Sequence, residues 1–352
     1  ITTGPLCKVF EEKFCELTRA SHAVSLCSAT AGMHLVMLAL GIKRGDEILT
    51  PSMTFASTLN LSTLCGAKPV FVDIHYDTLN INAGLIEERI TGKTKAIIPV
   101  HFAGAPADME KILDIARKYN LWVIEDAAHA LGTYYKGIHA GGFGQIAIFS
   151  FHPLKNITTG EGGMITCSDD QLESRLRLLR FHGIERDAWK RYAKGGNPEY
   201  DIKTPGFKYN LTDIQAALGL AQLSRLEEFN NRRRRLADLY REGLEGVGGV
   251  ELPGIPVYPH HHSWHLFIVK VLSMDRPLFM EKLSQYHIGY GIHFPAGHRL
   301  SYIKKRYGKR REELEETERV ASRILSLPLF PDMKDDDVFY VCEAIKEILS
   351  HG

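Results

Sequence analysis

Between residues 24 and 168, short apolar runs alternate with stretches whose apolar positions recur at helical spacing. This reading places strands at 24–26, 47–50, 69–74, 96–101, 122–125, 146–151 and 163–167, and helices at 30–40, 56–65, 107–119 and 172–181. Such alternation marks an α/β layer around a mostly parallel sheet. Residues 212–244 read as one long helix, opened by Asn210-Leu211-Thr212-Asp213 as capping residues and closed by the glycines of 246–249. After a proline-rich stretch at 253–259 the pattern becomes strand (264–271), helix (277–286), strand (289–294) and a final helix (335–349). Two domains are therefore expected: a large α/β domain over 1–245 that includes the linking helix 212–244, and a small α+β domain over 246–352. There is no internal repeat and no low-complexity tract.

A chain of 352 residues, 44% of them hydrophobic, can bury a sizeable core, which excludes general disorder. Its 43 basic and 42 acidic residues nearly cancel, so no global field points to nucleic acid, a membrane surface or a polyanion. Any phosphate must be bound locally. The six cysteines are scattered with no C-x-x-C pair, which argues against a zinc site and a disulfide framework and points to a reducing cytosol. No apolar run approaches the roughly 20 residues that span a bilayer. The start, Ile1-Thr2-Thr3-Gly4, looks like neither a signal nor a transit peptide, and the missing initiator Met suggests that a few residues precede it.

Chemistry concentrates in three places. In Ser150-Phe151-His152-Pro153-Leu154-Lys155-Asn156-Ile157-Thr158-Thr159-Gly160-Glu161-Gly162-Gly163, a lysine leaves a buried strand and enters a Gly/Thr-rich loop. At the carboxyl edge of an open sheet such an amine is partly desolvated, its pKa falls, and it can add to a carbonyl. A lysine on a loop is ordinarily only a surface residue; its context here reverses that. In Val123-Ile124-Glu125-Asp126-Ala127-Ala128-His129, an apolar strand ends in a carboxylate that could keep a heteroaromatic ring nitrogen protonated, though such an Asp is commonly a turn or cap residue. In Ser25-Leu26-Cys27-Ser28-Ala29-Thr30-Ala31-Gly32, small residues between strand and helix leave amides free to cradle a phosphate, or make an ordinary N-cap. Ser150 offers a further hydroxyl toward that phosphate.

An anion-binding turn, a strand-end Asp and a strand-end Lys in this order resemble fold-type I pyridoxal 5'-phosphate (PLP) enzymes, specifically their DegT/StrS-like sugar aminotransferases. The likeness runs through nearly the whole chain: Thr2-Thr3-Gly4-Pro5, Ser28-Ala29-Thr30-Ala31, Thr50-Pro51-Ser52-Met53-Thr54-Phe55, Val100-His101-Phe102-Ala103-Gly104, Glu125-Asp126-Ala127-Ala128-His129, the Lys155 loop and Gly206-Phe207-Lys208-Tyr209-Asn210-Leu211-Thr212-Asp213. Each motif alone is weak, and together they are specific. The resemblance implies Lys155 as the Schiff-base lysine, Asp126 on the pyridine nitrogen, Phe55 stacked on the ring and His129 near its hydroxyl. Thr30, Ala31 and Ser150 would hold the phosphate. Asn210 would reach the phosphate of the neighbouring subunit's cofactor, implying a homodimer with shared sites. His293, in Gly291-Ile292-His293-Phe294, matches a family histidine at the substrate entrance, although a lone strand His is more often structural. The implied reaction moves an amino group from L-glutamate, leaving 2-oxoglutarate, to a nucleotide-linked keto-sugar. Stretches such as Ala29-Thr30-Ala31-Gly32-Met33-His34, Ser263-Trp264-His265-Leu266-Phe267 and Leu327-Pro328-Leu329-Phe330-Pro331-Asp332-Met333 look closest to the aminotransferase forming UDP-4-amino-4-deoxy-L-arabinose, suggesting a UDP-linked 4-keto-sugar. Phe55 stands where that enzyme type has Trp, and the loop Thr158-Thr159-Gly160-Glu161 follows the wider family.

Two other readings share the architecture. A sugar dehydratase of this family carries His in place of the lysine, so Lys155 opposes it. A non-enzymatic ligand sensor is opposed by the intact Lys155, Asp126 and Asn210. The run Arg232–Arg235 reads as a solvated helix face rather than a nucleic-acid site. His260-His261-His262 reads as a loop rather than a metal site, since consecutive side chains diverge and no carboxylate or cysteine ligand lies nearby. Residues His182–Trp189 read as a polar active-site loop.

Overall fold

The computed structural model describes residues 2–184, 200–308 and 314–350, so most of the expected active-site loop, from Glu185 to Trp189, lies outside the described residues. In chain order the strands are β1 (His22–Leu26), β2 (Glu47–Pro51), β3 (Lys68–Val72), β4 (Thr94–Ile97), β5 (Trp122–Asp126), β6 (Tyr134–Tyr135), β7 (Ile138–His139), β8 (Ile146–Ser150), β9 (Gly163–Cys167), β10 (Val250–Glu251), β11 (His260–His261), β12 (Phe267–Val271) and β13 (Ile324–Leu327). The helices are α1 (Pro5–Thr18), α2 (Ala29–Ala39), α3 (Ala56–Leu64), α4 (Met109–Tyr119), α5 (Asp170–Arg180), α6 (Asp213–Leu223), α7 (Leu226–Leu244), α8 (Arg276–Gln285), α9 (Ser301–Tyr307), α10 (Glu315–Ala321) and α11 (Asp335–Ser350).

Seven strands form the central sheet in the order β1-β9-β8-β5-β4-β2-β3. All pairs among β8, β5, β4, β2 and β3 are parallel, and β9 is antiparallel to both β1 and β8. Only β9 therefore runs against the others, and the carboxyl ends of β1, β2, β4, β5 and β8 share one edge. Alternating side chains cover both faces, as the two-residue period of a strand requires. Ile146 and Ile148 join Met33, Leu35 and Leu176 on one face. Ala147 and Phe149 join Phe10 and Phe14 of α1 on the other, where Phe14 meets Phe149 edge-on at 4.9 Å. Burial on this scale stabilises by about 1.5–3 kcal/mol per large apolar side chain.

Several elements differ from the sequence reading, which also placed no strand at β13 and no helix at α9 or α10. Helix α1 was not foreseen; Pro5 in its first turn is the signal, since its fixed φ and missing N–H suit that position. The expected helix 212–244 is two helices, α6 and α7, separated at Ser224–Arg225, where Arg225 leaves helical geometry at φ −106° and ψ 5°. No Gly or Pro announces that break. The expected strand 289–294 makes one isolated bridge, Gly291 to Ser326, and the antiparallel sheet of the C-terminal region is instead β10-β12-β13. That sheet packs with α8, α11 and the second half of α7 around Phe267, Val269, Phe279, Leu325, Ile345 and Tyr240. Among the described residues no helix is long and apolar enough to cross a membrane.

Candidate active site

Five strand ends deliver side chains to the carboxyl edge. After β1, Ser28 caps α2, and its Oγ accepts from the Ala31 amide at 3.0 Å. With the Ala31 N–H donating to its own cap, the amides of Ala29 and Thr30, which helix geometry leaves without intrahelical partners, are also open to an anion. Thr30 is exposed beside them. The turn lies hard against β9, where a Cβ built on Gly163 would come within 2.5 Å of both the Ser28 carbonyl carbon and the Ala29 nitrogen.

Successive residues at the end of β5 point to opposite faces. Glu125 turns into the protein, where its Oε2 accepts from His101 Nε2 at 2.9 Å and from the Gly141 amide at 2.9 Å. Because His101 Nδ1 accepts from the Ala107 amide at 3.0 Å, the ring proton must be on Nε2. Asp126 turns toward the pocket, accepting from the Ala128 amide at 3.2 Å and, more weakly, from Thr58 Oγ1 at 3.4 Å. Its burial raises the carboxyl pKa, opposed by the Ala128 hydrogen bond and by the charge of Lys155.

Beyond β8, the Lys155 amide donates to His152 O at 2.9 Å, a turn that swings the chain back under the sheet edge. Burial lowers the Lys155 pKa from 10.5 to about 8, with Asp126 acting the other way. A useful fraction of the amine is thus unprotonated near neutrality. Three imidazoles surround it. His129 stacks obliquely on His265, ring centres 4.3 Å apart, and lies 6.4 Å from His293. Burial depresses all three, His293 to about 4, and the Lys155 charge adds to the effect on each. His293 Nδ1 pairs with Ser326 Oγ at 2.7 Å.

The structure thus gathers Lys155, Asp126, His129 and His293. Phe55 stands at the same rim, 54% exposed with its ring 5.8 Å from Phe294, a face left open to a planar ligand. The segment bearing it is fastened from the C-terminal region: Gly297 N donates to Ser52 O at 2.8 Å, and Ser52 Oγ meets His298 Nδ1 at 2.7 Å. Ser150, at the end of β8, accepts from the His152 amide at 3.4 Å. Asn210 bridges Leu26 at the end of β1, its amide donating to Thr2 Oγ1 at 3.0 Å and Leu211 O at 3.1 Å, with Lys208 as a third partner. His265, Asn156 and Thr58 were missed as site residues. His265 lay in a stretch noted only for its resemblance, and nothing in the sequence places it beside Lys155.

The remaining expectations resolve individually. His260, His261 and His262 engage Tyr258 O, Gly132 O and the Trp264 amide respectively, so their rings diverge. The arginine run is not uniformly solvated: Arg233 is buried and donates to Leu329 O at 2.8 Å and His265 O at 3.1 Å, while Arg232 pairs with Asp335 at 2.6 Å.

Does this donor set suit PLP? His129 Nδ1 is buried with no hydrogen-bond partner among the described residues. Burying a lone pair costs less than burying an unpaired N–H, so the ring proton belongs on Nε2, as a donor to a ligand oxygen. With an open aromatic face, a buried carboxylate and an amine of lowered pKa at one edge, the residues fit that group.

Comparison with known proteins agrees. The sequence pattern of the DegT/DnrJ/EryC1/StrS aminotransferase family matches residues 1–346. The structure superposes on Spr1654 of Streptococcus pneumoniae in its PMP form with a TM-score of 0.93 and 32% identity, covering 100% of this chain and 93% of that one. Spr1654 has also been solved in its PLP form. Helicobacter pylori PseC, an aminotransferase of pseudoaminic acid biosynthesis, gives 0.91 at 27% identity, covering 100% and 93%. DesI, solved in the presence of its TDP-sugar product, gives 0.86 at 32% identity, covering 99% and 86%.

Proposed function

The chain belongs to the DegT/DnrJ/EryC1/StrS aminotransferase family, whose cofactor is PLP, and from that premise we propose that it transfers an amino group from L-glutamate to a nucleotide-linked keto-sugar, a UDP-linked 4-keto-sugar in the first instance. The observation that carries the reading is the juxtaposition of Lys155, its pKa lowered to about 8, with the buried carboxylate of Asp126. When bound, PLP supplies an aldehyde that captures amines and a ring that withdraws electrons from the adjoining carbon.

The chain's own residues do the rest. Asp126 holds a proton on the ring nitrogen, and its desolvation strengthens that pairing. Lys155 Nζ takes the Cα proton of the amino donor and returns a proton when the amino group is handed on. His129 Nε2 would donate to the ring oxygen, Phe55 would cover the ring face, and the amides of Ala29 and Thr30 with the Thr30 and Ser150 hydroxyls would hold the phosphate. His293 faces the incoming sugar. Asn210 acts in trans, completing the phosphate site of a second copy, which makes the working unit a homodimer, as the family resemblance implies. Residues 1–245 and 246–352 are read as a cofactor-binding domain and a smaller domain that brings His293, the link being α7.

The test is spectroscopic and then chemical. The purified protein is expected to be yellow, to bleach with L-glutamate, and after borohydride treatment to carry the cofactor's mass on the peptide containing Lys155. A panel of UDP-, dTDP- and GDP-linked 4-keto- and 3-keto-sugars then restores the colour only with the true acceptor. Cofactor mass on a different lysine overturns the assignment; recovery with dTDP-sugars alone overturns the UDP choice.

A further inference from the structure

The loop that carries His265 meets the residue after the lysine, the ring-side histidine and a chain of buried amides at once. Asn156, the residue after Lys155, is buried. Its Nδ2 donates to Asn230 Oδ1 at 2.7 Å and to Ser263 O at 3.1 Å, and its Oδ1 meets His265 Nδ1 at 3.1 Å. Asn230 on α7 donates in turn to Leu131 O at 3.1 Å. Two main-chain carbonyls can only accept, so the amides facing Ser263 O and Leu131 O are both oriented without ambiguity. Both hydrogens of Asn156 Nδ2 are then engaged, its Oδ1 must accept, and the His265 proton must sit on Nδ1.

The main chain of the same residue is held as firmly. The Arg233 guanidinium donates to Trp264 O, His265 O and Leu329 O at 3.4, 3.1 and 2.8 Å. Ser263 Oγ donates to His129 O at 3.2 Å, and the His265 ring lies 4.3 Å from that of His129. One ladder thus runs from α7 through Asn230 and Asn156 to His265 and onto His129, with Lys155 attached at its middle rung.

We propose that His265 is a positioning residue of this site: fixed as its Nδ1–H tautomer by Asn156, it sets the plane of the His129 ring and, through Asn156, the root of the Lys155 arm. It also fills that space with a neutral ring. A cation there would face Lys155 and Arg233 with no carboxylate beside it among the described residues, whereas an aliphatic side chain would leave Asn156 Oδ1 buried and unpaired. The inference rests on the cofactor assignment above, toward which Lys155 and His129 are aimed.

Two variants separate the roles. His265→Phe keeps a ring against His129 and removes the donor to Asn156; His265→Asn keeps a donor near the Nδ1 position and removes the ring. PLP is titrated into each apoprotein, the pH midpoint of the bound cofactor's visible absorbance is recorded, and thermal unfolding is followed on the same samples. His265→Phe is expected to bind PLP roughly 10- to 100-fold more weakly, the loss of one buried hydrogen bond, and to shift the midpoint. Asn156→Ala should do the same, the double variant should be no worse than the poorer single, and His265→Asn should recover most of the affinity. Wild-type PLP affinity and midpoint in His265→Phe with only a lowered melting temperature would overturn the proposal, as would additive losses in the double variant. Should His265→Phe not fold, Asn156→Ala and His265→Asn decide by the same readouts. Failure of the wild-type protein to bind PLP would instead sink the cofactor assignment.

Discussion

The acid side and the imidazole side of the pocket bury ionisable groups by opposite means. Asp126 receives an amide and a hydroxyl and faces the Lys155 charge, so the structure supports its anion even while burial resists it. His129, His265 and His293 receive no carboxylate partner among the described residues, and burial beside Lys155 holds them neutral. Positive charge is therefore welcome at one end of the pocket and excluded from the other. A ring carrying a proton on its nitrogen and an oxygen across from it would lie along that gradient.

Removing the group between the two sides has the largest expected effect. Lys155→Ala should cut transamination by roughly 10²–10⁴ or more, measured as single-turnover pyridoxamine formation, while the fold persists; near-normal turnover would end the assignment. Asp126→Asn keeps the shape and removes the charge, and a fall of roughly 10²–10³ is expected in the same assay, with no equivalent loss for a neutral substitution at His293. If Asp126→Asn and His293→Gln proved equally harmful, the contrast between the sides would be wrong.

A smaller effect needs no cofactor. Lys155 titrates at about 8 when folded, against 10.5 ordinarily, so between those values the unfolded chain holds a proton that the folded one does not. Stability of the apoprotein should therefore rise with pH across that window, by on the order of 3 kcal/mol for this group. Urea unfolding of wild type and Lys155→Met at pH 8 and at pH 10 checks this. The variant should be the more stable at the lower pH, and the two should converge at the higher.

The fold was legible where pattern and burial coincide. The strands at the sheet centre are apolar runs because both faces are covered, so their positions follow from hydropathy, as do Asp126 and Lys155 at their ends. Helix α1 hides because its buried apolar residues, Cys7, Phe10 and Phe14, are few beside its charged ones, one of which, Glu11, is itself buried. The break between α6 and α7 carries no helix-breaking residue, so nothing local in the sequence announces it. Asn156 and His265 are 109 residues apart, and their pairing exists only once α7 and the sheet edge are assembled. The resemblance supplied what periodicity could not, naming His129 and His293, yet it gave no hint of the ladder behind them.

Gly163 carries a consequence of its own. With Ser28 and Ala29 at 2.5 Å from any methyl group placed there, even Gly163→Ala would act as a wedge under the first turn of α2, tilting the phosphate-facing amides without touching a ligand. A substitution invisible to hydropathy and remote from Lys155 in chemistry would thus read out as lost grip on the cofactor's anionic tail.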